Sequence, residues 1–201
     1  MNIISMLEKE SFNTFGYIGT DASTKSLFAN FAKRMREEEG KKVVCVLTNQ
    51  SADYEGVVNV KNGVILEDGT VVSHEKVIAW VVGATAAAEV NESLTNVAYD
   101  GAVDVDIKYT NSEYEAAIKA GQFVFYHDGE KARVLSDINS LTTFTDKSED
   151  LTSNRVMRVL DSWANDVARV FGKTYVGITT NDDTGRQLLK ADLVSLGLQY
   201  Q

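Results

Sequence analysis

Residues 77–106 read VIAWVVGATAAAEVNESLTNVAYDGAVDVD, and the way this stretch divides decides how the chain is laid out. From Val77 to Ala88 there is no charge, and Lys76 and Glu89 close the run on either side. A helix that is apolar all round is expected to be buried all round. Gly83, Ala84, Thr85, Ala86, Ala87 and Ala88 have little side-chain volume, so neighbouring elements can approach the backbone closely, and Trp80 supplies one large anchor. The run reads as a packing hub. It is too short to cross a bilayer, which takes about 20 apolar residues. Beyond it, Val103–Tyr109 alternates apolar and polar residues, the period of a strand with one wet face, and Asp104 and Asp106 lie on that face.

Upstream of the hub, Ile3–Ser11 reads as a short helix and Asn13–Ile18 as a strand entering the turn Gly19-Thr20-Asp21. Asp21 or Thr20 can cap the next helix, which carries Leu27, Phe28, Phe31, Ala32 and Met35 on one face and ends at a left-handed Gly40. Lys42–Thr48 is a buried strand. Strand, helix, strand in that order favours a parallel sheet with a right-handed crossover. Asn62-Gly63 and Asp68-Gly69 then read as hairpin turns between Gly56–Val60, Val64–Glu67 and Thr70–Val72.

Downstream, Thr110-Asn111-Ser112-Glu113 is a capping box opening a helix that runs to Gly121, and Gln122–Tyr126 with Lys131–Leu135 forms another hairpin. Asp146–Asp150 is polar and marks a boundary between residues 1–145 and 146–201. In the helix after it, Val156, Val159, Leu160, Trp163, Ala164, Val167, Val170 and Phe171 occupy one side. Arg155, Arg158, Ser162, Asp166, Arg169 and Lys173 line up opposite. Tyr175–Thr179 reads as a short strand, and Asn181-Asp182-Asp183 caps a last helix from Thr184 towards Leu198.

A chain of 201 residues buries about 70% of its unfolded surface, so no staple is required. Its one cysteine, Cys45, falls inside an apolar run and reads as a buried small hydrophobe. The net charge of −9 repels phosphate backbones and argues against nucleic acid as a partner. No basic segment followed by an apolar one opens the sequence, so no secretory signal is expected and the protein is read as made and kept in the cytosol. Proline is absent, where average usage is about 5%.

Nothing in the chain assembles a catalytic motif. The two histidines, His74 and His127, are too few for most zinc sites and read as ordinary solvent-side residues. There is no G-x-S-x-G elbow, no G-x-x-x-x-G-K-[ST] phosphate loop and no G-x-G-x-x-G after a strand. Asp104 and Asp106 share a strand face, but a divalent ion draws further oxygen ligands from elsewhere, so a solvated strand edge is the simpler reading. Asp182 and Asp183 suit a helix start. No cofactor is expected.

Six stretches, taken in order, carry a more specific signal: Asp53–Val60 (DYEGVVNV), Ala79–Ala84 (AWVVGA), Asn91–Thr95 (NESLT), Tyr99–Ala102 (YDGA), Ile138–Thr145 (INSLTTFT) and Asn154–Asp161 (NRVMRVLD). Together they resemble the contractile tail sheath proteins of phages, a family that includes the sheaths of defective-prophage and R-type bacteriocin particles. The resemblance implies an α/β fold: a mixed sheet with flanking helices, subtilisin-like, followed by a smaller, incomplete α+β C-terminal domain. It implies a structural protein and not an enzyme, since no serine nucleophile turn accompanies that fold here. The implied partners are other sheath subunits, in hexameric rings stacked into a helical tube, and an inner tail tube protein, with neither nucleic acid nor membrane. Assembly would occur in the bacterial cytoplasm, and the product would reside in the tail of a virion or bacteriocin.

Relatives of this kind carry more sequence on both sides, so the chain is expected to be a fragment, monomeric without the arms that join subunits. In such sheaths the C-terminal part lies innermost, which makes Arg155, Arg158, Arg169 and Lys173 a candidate row facing the tube. The alternative is a small-ligand α/β domain or enzyme with its pocket at the carboxyl ends of strands 13–18 and 42–48. A deep pocket with converging polar groups there would distinguish it.

Overall fold

A computed structural model describes residues 3–200. At its centre is a parallel sheet in the order β1 (Thr14–Gly16), β2 (Val44–Thr48), β3 (Val57–Val60), β7 (Gln122–Phe123). Helix α2 (Ala22–Glu37) joins β1 to β2, as the strand, helix, strand pattern predicts. Side chains leave β2 and β3 with period two. Cys45, Leu47 and Val57 pack under α2 with Phe28, Phe31, Ala32 and Met35, and Ile4 of the short helix α1 (Ile3–Leu7) joins them. Val46, Val58 and Val60 go to the opposite face, against Val77, Ile78 and Val81 of α3 (His74–Ala87). The body is therefore helix, sheet, helix, a three-layer α/β arrangement.

Local signals in α2 act as read. The Asp21 carboxylate accepts from the Thr24 amide at 2.7 Å and from the Ser23 and Thr24 hydroxyls, which lowers its pKa to about 2. Gly40 is left-handed (φ +69°), and the Lys41 amide beyond it bonds back to the Met35 carbonyl. Leu27 falls outside the buried face and is exposed. Helix α1 stops at Leu7 rather than at Ser11.

The hub expectation is corrected. Only Val77, Ile78 and Val81 of α3 are buried, whereas Ala79, Gly83, Ala86 and Ala87 are exposed. Absence of charge does not by itself bury a residue: alanine and glycine offer little apolar area to hide, so nothing forces them inward. A Cβ on Gly83 would meet no atom within 4 Å. The close approach is supplied from the other side, where a Cβ on Gly16 of β1 would lie 2.6 Å from Ile78 and 2.8 Å from Val82.

The antiparallel strands segregate into their own sheets. Strands β4 (Val64–Leu66) and β5 (Val71–Val72) form the Asp68-Gly69 hairpin, and β6 (Ala102–Val105) pairs on the other side of β4. A register shift between Ile65 and Leu66 leaves Val103 unpaired and exposed, which ends the clean alternation read for Val103–Tyr109. Asn62-Gly63 is no hairpin turn. The Asn62 side chain, fully buried, donates to the Phe125 carbonyl at 3.0 Å and accepts its amide at 2.9 Å, so it carries the chain from one sheet to the next. The strand expected over Gln122–Tyr126 divides at Val124: β7 ends the parallel sheet, and β8 (Phe125–His127) pairs with β9 (Ala132–Val134). Helix α4 (Asn111–Lys119) begins at the expected capping box on Thr110.

After a short 3₁₀ turn at Glu149–Thr152, α5 (Asn154–Val170) runs into a π turn at Phe171–Tyr175, and α6 (Asp183–Leu198) starts at Asp182, whose carboxylate accepts the Gly185 amide. No strand forms over Tyr175–Thr179. Its amides bond locally instead, Val176 to the Phe171 carbonyl and Thr179 to the Tyr175 carbonyl, since no neighbouring edge offers a partner.

Candidate functional site

Four of the six stretches that are most distinctive in sequence come together in space. Asp53, at φ +47°, accepts with one carboxylate oxygen from the Thr142 amide (2.7 Å), the Thr142 hydroxyl (2.9 Å) and the Thr143 amide (2.9 Å). Thr143 and Thr142 together hold its carboxyl well below the usual range. Ser140, fully buried, donates its amide to the Val57 carbonyl and its hydroxyl to the Tyr54 carbonyl. The buried Asp137 accepts the Leu94 amide (3.0 Å) with one oxygen and the Asn154 side-chain amide (2.8 Å) with the other. Four separate segments of chain thus meet in one polar joint.

Helix α5 is seated on the body through this joint by its polar side. Arg36 of α2 donates through both terminal nitrogens to Asp161, at 2.7 and 2.8 Å, and once more to the Val43 carbonyl at 3.1 Å. Burial opposes its charge, but the Asp161 carboxylate outweighs that and raises the Arg36 pKa. Such a bidentate fork is the geometry an arginine side chain offers to a carboxylate. Lys147, in the connection, bonds Glu55 at 2.6 Å and lies over the Tyr54 ring.

The candidate row of four cations is therefore not one free stripe. Arg155 is exposed on the first turn of α5, and Lys173 is exposed beyond its end, in the π turn. Arg169 is exposed but paired with Asp166. Arg158 turns inward: it donates to the Glu92 carbonyl, and its other terminal nitrogen lies fully buried 3.6 Å from Asp137. The reading by helical angle missed Arg36, Asp137, Asn154 and Asp161. Arg36 had a visible signal, since it follows Phe28 and Ala32 at helical spacing on the buried face, where a charge requires a partner. The other side of α5, the π turn and α6 leaves Leu160, Trp163, Phe171, Leu188, Val194 and Leu198 exposed.

The other groups considered for chemistry are occupied otherwise. Asp104 pairs with Lys108 at 2.7 Å and Asp106 accepts the Gly63 amide at 2.8 Å, so the two carboxylates serve different partners. Among the described residues no group of three or more His, Cys, Asp or Glu could hold a metal ion. His74 lies beside Glu75, and His127 accepts the Gly129 amide. Burial pushes the Cys45 thiol far up, away from the reactive thiolate. A cleft of about 200 Å³ lies between α5 and the body, lined by Asn13, Thr14, Lys42, Met157, Asp161 and Asn165. It opens at the amino ends of β1 and β2, the opposite end from the ligand crevice of an open α/β sheet. Among the described residues no helix is long and apolar enough to cross a membrane.

Comparison with known proteins agrees with this geometry. A family model described as phage tail sheath protein central domain matches residues 1–140, and one described as phage tail sheath C-terminal domain matches residues 146–201. The chain is similar to the solved sheath tail protein of Desulfitobacterium hafniense, with 48% identity and a TM-score of 0.91 over 96% of this chain and 46% of that one. It is 41% identical to the phage-like element PBSX protein XkdK of Bacillus subtilis over 84% of this chain and 37% of that protein. The helical sheath of the anti-feeding prophage in its contracted state shares the fold, at TM-score 0.63 and 14% identity over 90% of this chain and 53% of that one. The chain spans less than half the length of the first two relatives. With family models matching in order along nearly all of it, the chain belongs to the phage tail sheath protein family.

Proposed function

We propose that this chain is a structural subunit of a contractile tail sheath, and that copies of it polymerise as hexameric rings around an inner tail tube and contract to drive the tube through a cell envelope. The observation that carries this reading is the ordered match of the sheath central and C-terminal families to residues 1–140 and 146–201. The family is structural and the chain is not an enzyme. In this reading residues 1–145 and 146–201 are two units, subunits assemble in the bacterial cytoplasm, and the product resides in the tail of a phage, defective prophage or R-type bacteriocin. An open helix of this kind requires head-to-tail interfaces between copies, and contraction requires two sets of them separated in free energy.

Arg155 and Lys173, the exposed members of the cationic row that carry no ion pair among the described residues, face the tube in this reading, and Arg158 supports them from within the joint. Co-expression of the whole sheath polypeptide with its tube protein, followed by electron microscopy, tests the proposal. Regular striated sheath around tubes is expected; soluble particles that never associate with tubes would overturn it. Arg155→Glu with Lys173→Glu should abolish extended sheath on the tube at low salt, and normal extended sheath in that variant would remove the tube-facing assignment alone.

A further inference from the structure

We propose that the Arg36–Asp161 pair is a latch holding the α5–α6 helix pair against the α/β body, and that opening it lets the pair swing about a pivot at residues 151–154. The proposal concerns the chain by itself and does not depend on the assembly reading.

The pivot is built from backbone. The Asn139 amide donates to the Thr152 carbonyl at 2.9 Å, its side-chain amide to the Leu151 carbonyl at 2.7 Å, and the Asn154 amide to the Asp137 carbonyl at 3.0 Å. An isolated bridge pairs Ile138 with Ser153. These bonds fix where α5 begins but leave its far end to other contacts. Asp161 lies seven residues along, about 10 Å at the α-helical rise of ~1.5 Å per residue. There the Arg36 fork grips it, with the side chains only 5% and 15% exposed.

Past that point the seat gives way. Two clefts, of about 200 and 380 Å³, separate α5 from the body, and both are lined by Asn13, Lys42 and Asn165. Met157 is the one apolar side chain of α5 that is buried. Hydrophobic packing would hold the helix down along its length, whereas beyond the pivot this seat depends on one largely buried charge pair. The far part moves as one piece: Tyr200 donates to Asp166 at 2.7 Å, Tyr175 to Asp192 at 2.7 Å, and α5 packs along α6. A largely buried ion pair adds little net stability over apolar packing, but it specifies one arrangement and is disabled when one charge is removed. These are the properties of a latch.

The test places nitroxide labels at two exposed positions, Glu38→Cys on the body and Ser195→Cys on α6, with the buried Cys45 left in place. Electron–electron distance measurement on this chain at low salt should give one narrow distance. Asp161→Asn should convert it to a broad or second, longer distribution, and so should Arg36→Met, which removes the other charge. Arg36→Lys, which keeps the charge but loses the fork, should give an intermediate distribution. A narrow, unchanged distance under Asp161→Asn and under Arg36→Met would overturn the latch. Collapse of the whole fold in Asp161→Asn and in Arg36→Lys alike would overturn it equally, by making the pair part of the body's cooperative core.

Discussion

Asn62 makes two hydrogen bonds with the backbone of one residue, Phe125, donating one and accepting the other through its single side-chain amide. Asn62→Ala strands a buried amide and a buried carbonyl, each costing roughly 1–3 kcal/mol, so urea unfolding should show a loss at or above that range. Asn62→Asp should be at least as damaging, because it turns an acceptor towards the Phe125 carbonyl. Asp53 governs a pH response. Its carboxyl is lowered in the folded chain by Thr143 and Thr142, against an unfolded value of about 3.9, so its contribution is complete above the unfolded value and disappears as pH falls through the folded one. Asp21 acts in the same direction. Acid titration of stability should therefore fall less steeply in Asp53→Asn than in the parent, and parallel curves would refute the assignment. Neither residue's role could be read from sequence. Asn62-Gly63 has the composition of a tight turn, and only the position of β8, more than sixty residues on, makes it a bridge.

At the scale of elements, the two glycines of the α3 contact behave oppositely. Gly83→Ala should stabilise the chain by about 0.5–1 kcal/mol, since it is exposed within a helix with open space around it. Gly16→Val should cost about 1–3 kcal/mol by forcing β1 away from Ile78 and Val82. Thermal melts of the two variants should move in opposite directions; a destabilised Gly83→Ala would restore α3 as a helix buried all round. Capping residues were legible because their chemistry is local: Asp21, Thr110 and Asp182 each sit where their side chains start a helix. Burial in α3 was not, because a run of small uncharged residues has the same appearance whether or not another layer covers it. In α5 the helix itself was legible, but helical angle ranks faces by apolarity, and this helix meets the body through Asn154, Arg158 and Asp161.

The whole molecule is a three-layer body with a helix pair clasped to it by charge. The α/β class followed from the strand, helix, strand order of residues 13–48, and the family from six stretches whose meaning lies in their being together. Four of those stretches, Asp53–Val60, Asn91–Thr95, Ile138–Thr145 and Asn154–Asp161, turn out to be parts of the joint between body and helix pair. What could not be read is how they meet, since contacts such as Arg36 with Asp161 span 125 residues. The central claim, that this protein builds a tail sheath, is tested most directly by deleting its coding sequence in the bacterium or phage that carries it and imaging the tails by electron microscopy. The account predicts bare inner tubes with no sheath, restored by supplying the gene in trans. Tails that keep a complete, contractile sheath after the deletion would contradict it.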